Sequence, residues 1–82
     1  MRFLIAETHD PERCVEMRPI YQKMVEERFL GAPVKVLAAY TCRPEHTYWF
    51  IVEADSYDQI EEFCRPREFM RTRVTPVRPL LE

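Results

Sequence analysis

The chain has 82 residues and a mass of 9.9 kDa; 46% of its residues are apolar and 32% are charged. This length is that of a single domain, and the apolar share excludes an intrinsically disordered or low-complexity chain. The net charge of −2 gives no overall attraction to nucleic acid. Residues 1–82 are therefore predicted to form one globular domain that binds no nucleic acid.

The cysteines and the apolar runs indicate the compartment. Cys14, Cys42 and Cys64 form an odd set without zinc-finger spacing, so no disulfide framework is expected. The apolar run at the start of the chain is too short for a signal peptide, and no run reaches the length of a membrane span. We therefore expect a cytoplasmic protein that does not bind membranes.

The first third of the sequence predicts a strand followed by a helix. Residues 2–9 have a continuous apolar centre, which is typical of a buried strand. Asp10 and Pro11 form a helix-start signal, with Asp10 as the N-cap residue. Apolar residues then recur at helical spacing as far as Phe29, with a kink expected at Pro19, and Gly31 is expected to end the helix in a left-handed conformation.

The remaining elements are two strands, a helix and a last strand. Residues 34–42 and 46–54 predict a hairpin around a short polar break at 43–45. Ser56 and Gln59 make a capping-box signature for a helix that ends before Pro66. Its predicted buried residues are Tyr57, Ile60, Phe63 and Cys64. Residues 72–80 predict a strand at a sheet edge, because prolines in that strand cannot donate to a neighbour.

This order, βαββαβ, predicts the ferredoxin-like α+β fold, an antiparallel sheet with two helices on one face. The third strand is apolar on both faces, although a sheet with helices on one side should be polar on the other. The simplest cover for the helix-free face is the same face of a second copy, which closes a dimeric α/β barrel. A homodimer is therefore predicted.

Strand alternation brings the polar residues of the sheet together at one end. If Arg2 pairs with Glu53 on the central strands, one face has apolar residues at one end and polar residues at the other. A hairpin closed by Cys42 and His46 would bring the second strand onto the same face. The polar end then comprises Glu7, His9, Tyr40, Cys42, His46 and Tyr48.

The first interpretation of this cluster is a transition-metal site. Imidazole and thiolate groups suit zinc, nickel or copper. His9 and His46 would be ligands, with Cys42 or Cys14 as the third, and Glu7 would support a ligand from outside. For Cys14, a role as a small buried apolar residue is an open alternative.

Two other interpretations stay open. In one, the protein is a cofactor-free isomerase or cyclase in which Glu7 or His46 moves a proton and Tyr48 holds a phenol or oxyanion. Its apolar or aromatic substrate would lie against Phe3, Ile5, Tyr40 and Phe50. In the other, the protein is a structural or regulatory dimer, and these polar groups only satisfy one another at a strand end.

The sequence resembles the dimeric α/β-barrel superfamily in its element order and in the segment His46–Asp55. It is similar to short members that open with Thr-His-x-Pro-Glu-x-Cys, here residues 8–14, and that carry a Pro-Val segment near the C-terminus, here residues 76–77. The superfamily includes small monooxygenases, muconolactone isomerases, polyketide cyclases and small nickel-binding proteins. This resemblance implies a homodimer with a ligand pocket, and it does not select among those activities.

Overall fold

The computed structural model describes residues 1–14, 23, 29, 31–64 and 70–81. Strands β1 (Arg2–His9), β2 (Lys35–Cys42), β3 (Thr47–Glu53) and β4 (Met70–Val77) form one antiparallel sheet in the order β2-β3-β1-β4. A 3-10 helix, Pro11–Arg13, follows β1, and an α-helix, Tyr57–Phe63, follows β3. The predicted ferredoxin-like α+β fold is confirmed.

Burial along β1 follows the pleat of the strand. Side chains at odd positions from Phe3 to His9 are buried, and those at even positions from Arg2 to Thr8 are half-buried. The buried side faces the α-helix Tyr57–Phe63. The core on this side comprises Phe3, Ile5, Val34, Tyr48, Phe50, Val52, Ala54, Ile60 and Phe63.

The predicted pairing of the central strands is confirmed. Arg2 lies opposite Glu53, and the register continues without interruption to Thr8 opposite Thr47. Arg2 also forms an ion pair with Glu53 at 2.7 Å, and this hydrogen bond lowers the pKa of the Glu53 carboxyl. His9 and Glu7 therefore lie on the face that the sequence predicted for them.

The predicted pairing of β2 is wrong by one residue. Cys42 lies opposite Thr47 rather than His46, so the loop has four residues, 43–46, and β3 begins at Thr47. Tyr40 consequently lies opposite Trp49, on the helix-free face. An irregularity between Val36 and Ala38 accommodates one extra residue in β2. On the N-terminal side of this irregularity, Val36 pairs with Val52 and lies on the core side of the sheet.

The helix after β3 begins close to where the capping signature predicted. The Ser56 hydroxyl accepts a hydrogen bond from the Gln59 amide at 3.4 Å. The Gln59 side chain in turn accepts one from the Asp55 amide at 2.7 Å. Ile60 and Phe63 are buried as predicted and Cys64 is half-buried, whereas Tyr57 is 58% exposed. The Tyr57 ring nevertheless packs edge to face against the core residue Phe3.

The first predicted helix is described only in part. Residues 14, 23 and 29 are helical, and Pro19, where a kink is predicted, lies outside the described residues. Asp10 is at the N-cap position of the 3-10 helix, yet its side chain makes no capping bond there. It pairs instead with Arg71 of β4 at 2.8 Å. Gly31 lies in a turn, and the predicted left-handed conformation is wrong.

The other face of the sheet has no helix among the described residues. Its side chains on the central strands include Leu4, Ala6, Trp49 and Ile51, all half-buried. On β4 the same face presents Arg71, Arg73 and Thr75, which are exposed. No helix in the described part of the chain is long and apolar enough to cross a membrane.

Candidate metal centre

Three side chains with metal-ligating atoms meet where β1 and the β2–β3 loop come together. The Sγ atom of Cys14 lies 3.3 Å from Nε2 of His9 and 2.8 Å from Nδ1 of His46. One ligating atom from each of the three residues lies within 4.8 Å of the other two. The imidazole rings of His9 and His46 meet edge to face, with their centroids 5.4 Å apart. We call these three residues the His-Cys-His cluster.

His9 is placed by the last position of β1. The side chain is 5% exposed because it continues the buried face of the strand and lies beside the ring of Tyr48. Burial lowers the pKa of His9, and the neighbouring His46 lowers it further, while Asp10 opposes them. The ring is therefore favoured in the neutral form, which is the form that binds a metal ion.

Cys14 reaches His9 because the chain turns sharply after β1. Pro11 has no amide hydrogen and a fixed φ, which suits the first position of a helical turn. The 3-10 helix Pro11–Arg13 follows, and the Cys14 amide donates a hydrogen bond to the Pro11 carbonyl. The thiol, five positions after His9 in sequence, is thereby returned to the His9 ring.

His46 is held in an unusual backbone conformation. Its φ is 51°, the one positive φ at a non-glycine residue in the described chain. Left-handed backbone at such a residue costs of order 1–3 kcal/mol and persists only where the surroundings enforce it. Here the His46 amide donates to the Arg43 carbonyl at 3.1 Å, and the His46 carbonyl accepts from the His9 amide at 3.1 Å.

Two threonine hydroxyls fix the end of the same loop. Thr47 Oγ1 donates to the Glu45 carbonyl at 2.8 Å and, as acceptor, lies 3.0 Å from Thr8 Oγ1. Thr47 is 5% exposed and Thr8 is half-buried. The backbone carrying His46 is consequently tied to the strand that carries His9.

The spacing of the cluster is close to that of a metal centre. In tetrahedral zinc sites the metal–sulfur and metal–nitrogen distances are about 2.3 and 2.0–2.1 Å, so neighbouring ligand atoms are about 3.5 Å apart. The separation of 3.3 Å between Cys14 and His9 is close to this, and that of 2.8 Å between Cys14 and His46 needs to widen by less than about 1 Å. The three ligating atoms lie within 4.8 Å of one another, so the widest pair has to close by up to about 1.3 Å for the cluster to hold one metal ion.

The second nitrogen of His9, Nδ1, lacks among the described residues the hydrogen-bond partner that metal-binding histidines usually have. Nδ1 is buried, and no described residue forms a hydrogen bond with it. Buried polar atoms without a partner are uncommon in folded proteins. The Glu7 carboxylate thus does not orient His9 through this nitrogen, although Glu7 is buried on the same face.

A pocket of about 520 Å³ adjoins the cluster. It lies along the end of β2 and the β2–β3 loop. Its lining residues are the three of the cluster together with Ala39, Tyr40, Thr41, Cys42, Arg43, Thr47 and Tyr48. Because Tyr40, Thr41 and Arg43 are exposed, the pocket is accessible from solvent.

The structure brings together only part of the predicted site. His9, His46 and Cys14 meet, whereas Cys42 is not in the group of possible metal ligands. The one-residue change in hairpin register places Cys42 and Tyr40 opposite Thr47 and Trp49, away from the predicted face. Both nevertheless line the pocket.

The other predicted residues lie near the cluster or in the core. Tyr48 contacts His9, and Glu7 lies opposite Tyr48 in the sheet. These contacts do not test the catalytic roles predicted for Glu7, His46 and Tyr48, which stay predictions. Phe3, Ile5 and Phe50 are at most 1% exposed and belong to the core. A ligand that contacts Ile5 or Phe50 would have to displace core side chains, and the predicted ligand-binding role of these residues stays a prediction.

Sequence reasoning missed the Thr8–Thr47 pair and did not choose Cys14 over Cys42. Both had a signal in the sequence. Threonines at facing positions of neighbouring strands commonly share a hydrogen bond. The Asp-Pro turn directly after His9 predicts a return of the chain toward that residue.

The fold and the cluster define the class to which the chain can be compared. It is a ferredoxin-like domain with a His-Cys-His cluster at one end of its sheet. It is similar to a solved structure described as "Crystal structure of antibiotic biosynthesis monooxygenase", with a TM-score of 0.60 and 18% sequence identity. The match covers 96% of this chain and 100% of the other, and at this identity it shows the shared fold alone.

Comparison at the level of sequence identifies no relatives. No protein-family model and no curated protein matches the chain. Any account of what the protein does therefore depends on its own residues.

Proposed function

We propose that the protein binds one transition-metal ion at the His-Cys-His cluster. The observation that carries the proposal is the convergence of two imidazole nitrogens and one thiol sulfur within 4.8 Å of one another. These ligands suit zinc, nickel or copper, and they do not suit magnesium or calcium, which prefer oxygen.

The surroundings of the cluster support this proposal. The lowered pKa of His9 keeps a ring nitrogen available near neutral pH. The strained backbone of His46 holds the second imidazole toward the first, as expected where a ligand geometry is enforced by its surroundings. With three protein ligands, a tetrahedral ion keeps one position open, as in catalytic rather than structural zinc sites.

Metal titration of the untagged full-length chain tests the proposal. We expect one zinc, nickel or copper ion per chain in equilibrium dialysis with metal analysis. Cys14→Ser and His46→Asn should weaken binding by more than about 100-fold, since even groups that only support a ligand are worth about 10–100-fold. Asparagine is chosen at position 46 because it tolerates a left-handed backbone.

Cys42→Ser is the matched control, because it removes a thiol that lines the same pocket but lies outside the cluster. We expect it to leave metal affinity within about 2-fold, far below the effect of losing a ligand. Binding well below one ion per chain, or equal loss in Cys14→Ser and Cys42→Ser, would contradict the proposal.

A second copy of the chain is the partner that we propose for the helix-free face. The half-buried side chains Leu4, Trp49 and Ile51 form an apolar strip along the two central strands. An apolar strip on a sheet face that no described helix covers is typical of a protein–protein interface.

Sedimentation equilibrium tests the dimer. The wild-type chain should sediment with about twice its monomer mass of 9.9 kDa. Ile51→Lys should give the monomer, because a buried lysine cannot be paired in an apolar interface. Val74→Lys is the control, since Val74 is exposed on the other face of edge strand β4. The dimer is excluded if the wild type is monomeric at all concentrations or if both variants behave alike.

A further inference from the structure

The pocket beside the His-Cys-His cluster is bordered on β2 by two small side chains. Ala39 and Thr41 lie opposite Phe50 and Tyr48, and both point to the same face of the sheet as the cluster. Elsewhere on this face, aromatic residues such as Phe63 fill the space above the sheet. The resulting volume of about 520 Å³ is within the usual range for small-molecule sites, about 300–1,000 Å³.

The charge of the lining favours an anion. Among the described residues that line the pocket, Arg43 is the one that is always cationic, and none is aspartate or glutamate. A divalent ion bound by one thiolate and two neutral imidazoles would add a further net positive charge. A negatively charged ligand would therefore be attracted both to the metal ion and to Arg43.

The uncharged part of the lining favours a ligand with an apolar body. Ala39 offers a methyl group and Tyr48 an aromatic ring, while Thr41 offers a hydroxyl group. Pockets that combine an apolar wall with a few polar groups bind small organic molecules more readily than inorganic ions. Inorganic phosphate or sulfate would leave the apolar wall without a contact.

From these observations we infer that the pocket binds a small organic carboxylate with an apolar or aromatic body. Its carboxylate occupies the open position of the metal ion and is neutralised by Arg43, and its apolar part lies along Ala39 and Tyr48. This inference rests on the proposed function, because the carboxylate needs the metal ion as one of its two positive partners. In this arrangement Arg43 selects for negatively charged ligands, and the metal ion holds the ligand in place.

Benzoate is a suitable probe, with uncharged benzamide of similar shape as the matched ligand. The full-length protein is loaded with Co²⁺, whose visible absorption spectrum reports a change of ligand at the metal. We expect benzoate to change this spectrum in a saturable manner and benzamide to leave it unchanged. Isothermal titration calorimetry gives the affinity of each ligand for the loaded protein.

Arg43→Gln separates the anion site from the metal site. We expect this variant to bind Co²⁺ as the wild type does and to bind benzoate at least about 10-fold more weakly, the effect of losing one charge-assisted hydrogen bond. Arg78→Gln is the control, since Arg78 is exposed and does not line this pocket. It should leave both affinities unchanged.

The failures of the two proposals are distinguishable. If Co²⁺ does not bind at the cluster, the proposed function is wrong. If Co²⁺ binds but benzoate and benzamide behave alike, or Arg43→Gln has no effect on benzoate, only the present inference is wrong. Benzoate binding that is equally strong without the metal ion would also overturn it, because the carboxylate would then not lie on the metal.

Discussion

His9 shows how the position of one residue in a strand can set its chemistry. As the last buried residue of β1, it is removed from water and lies beside a second imidazole, and both effects lower its pKa. The folded protein therefore resists protonating this ring, whereas the unfolded chain protonates it with an ordinary pKa near 6.5. The stability of the metal-free protein is thereby linked to pH.

The sign of this linkage gives a prediction. Below about pH 6.5 the unfolded chain takes up a proton on His9 that the folded chain does not, so the free energy of unfolding should fall as the pH decreases from that value toward the lowered pKa. Above about pH 6.5 the contribution of the neutral His9 ring to the free energy of unfolding is fully present. Urea unfolding in the presence of a chelator, measured between about pH 7.5 and 5.5, checks this.

His9→Gln is the comparison for that experiment, because glutamine has no charge at any of these pH values. The variant should show a flatter dependence of unfolding free energy on pH than the wild type. Equal slopes for the two proteins would show that protonation of His9 does not govern this part of the pH dependence.

Among the elements, the β2–β3 hairpin is the one whose register the sequence pattern predicts wrongly. Strand alternation predicts the faces of β1 and β3 because their buried residues are large and apolar, so a shift by one would expose them. The residues of β2 near the loop are small or polar, and they do not distinguish one register from the next. The loop gains a fourth residue by placing His46 in a left-handed conformation, which no glycine or asparagine in the sequence signals.

The helix Tyr57–Phe63 gives a prediction at the same scale. It has only seven residues, so its first turn depends on the hydrogen bond that the Gln59 amide donates to the Ser56 hydroxyl. Ser56→Ala should lower the free energy of unfolding by about 1 kcal/mol, whereas Ser56→Asp should retain most of the stability, because aspartate also caps a helix. Chemical denaturation at constant pH provides the measurement, and equal losses in the two variants would contradict a capping role.

At the scale of the whole molecule, the sequence predicts the architecture more completely than the site. The element order predicts the fold because each buried strand and helix repeats its apolar pattern several times. The convergence of His9 and His46 follows from the register of the central strands and is also predictable. The selection of Cys14 over Cys42 is predictable only in part: the Asp-Pro turn indicates that the chain returns toward His9, but the exclusion of Cys42 depends on one residue of hairpin register that no pattern in the sequence gives.

The two edge strands of the sheet affect how copies of the protein can associate. The irregularity near Leu37 interrupts the regular hydrogen-bonding row of β2, and Pro76 removes one donor from β4. Both features discourage another strand from adding to the sheet. If copies of the protein associate, these two edges favour contact through the broad faces of the sheet and disfavour fibrils that grow by adding strands at either edge.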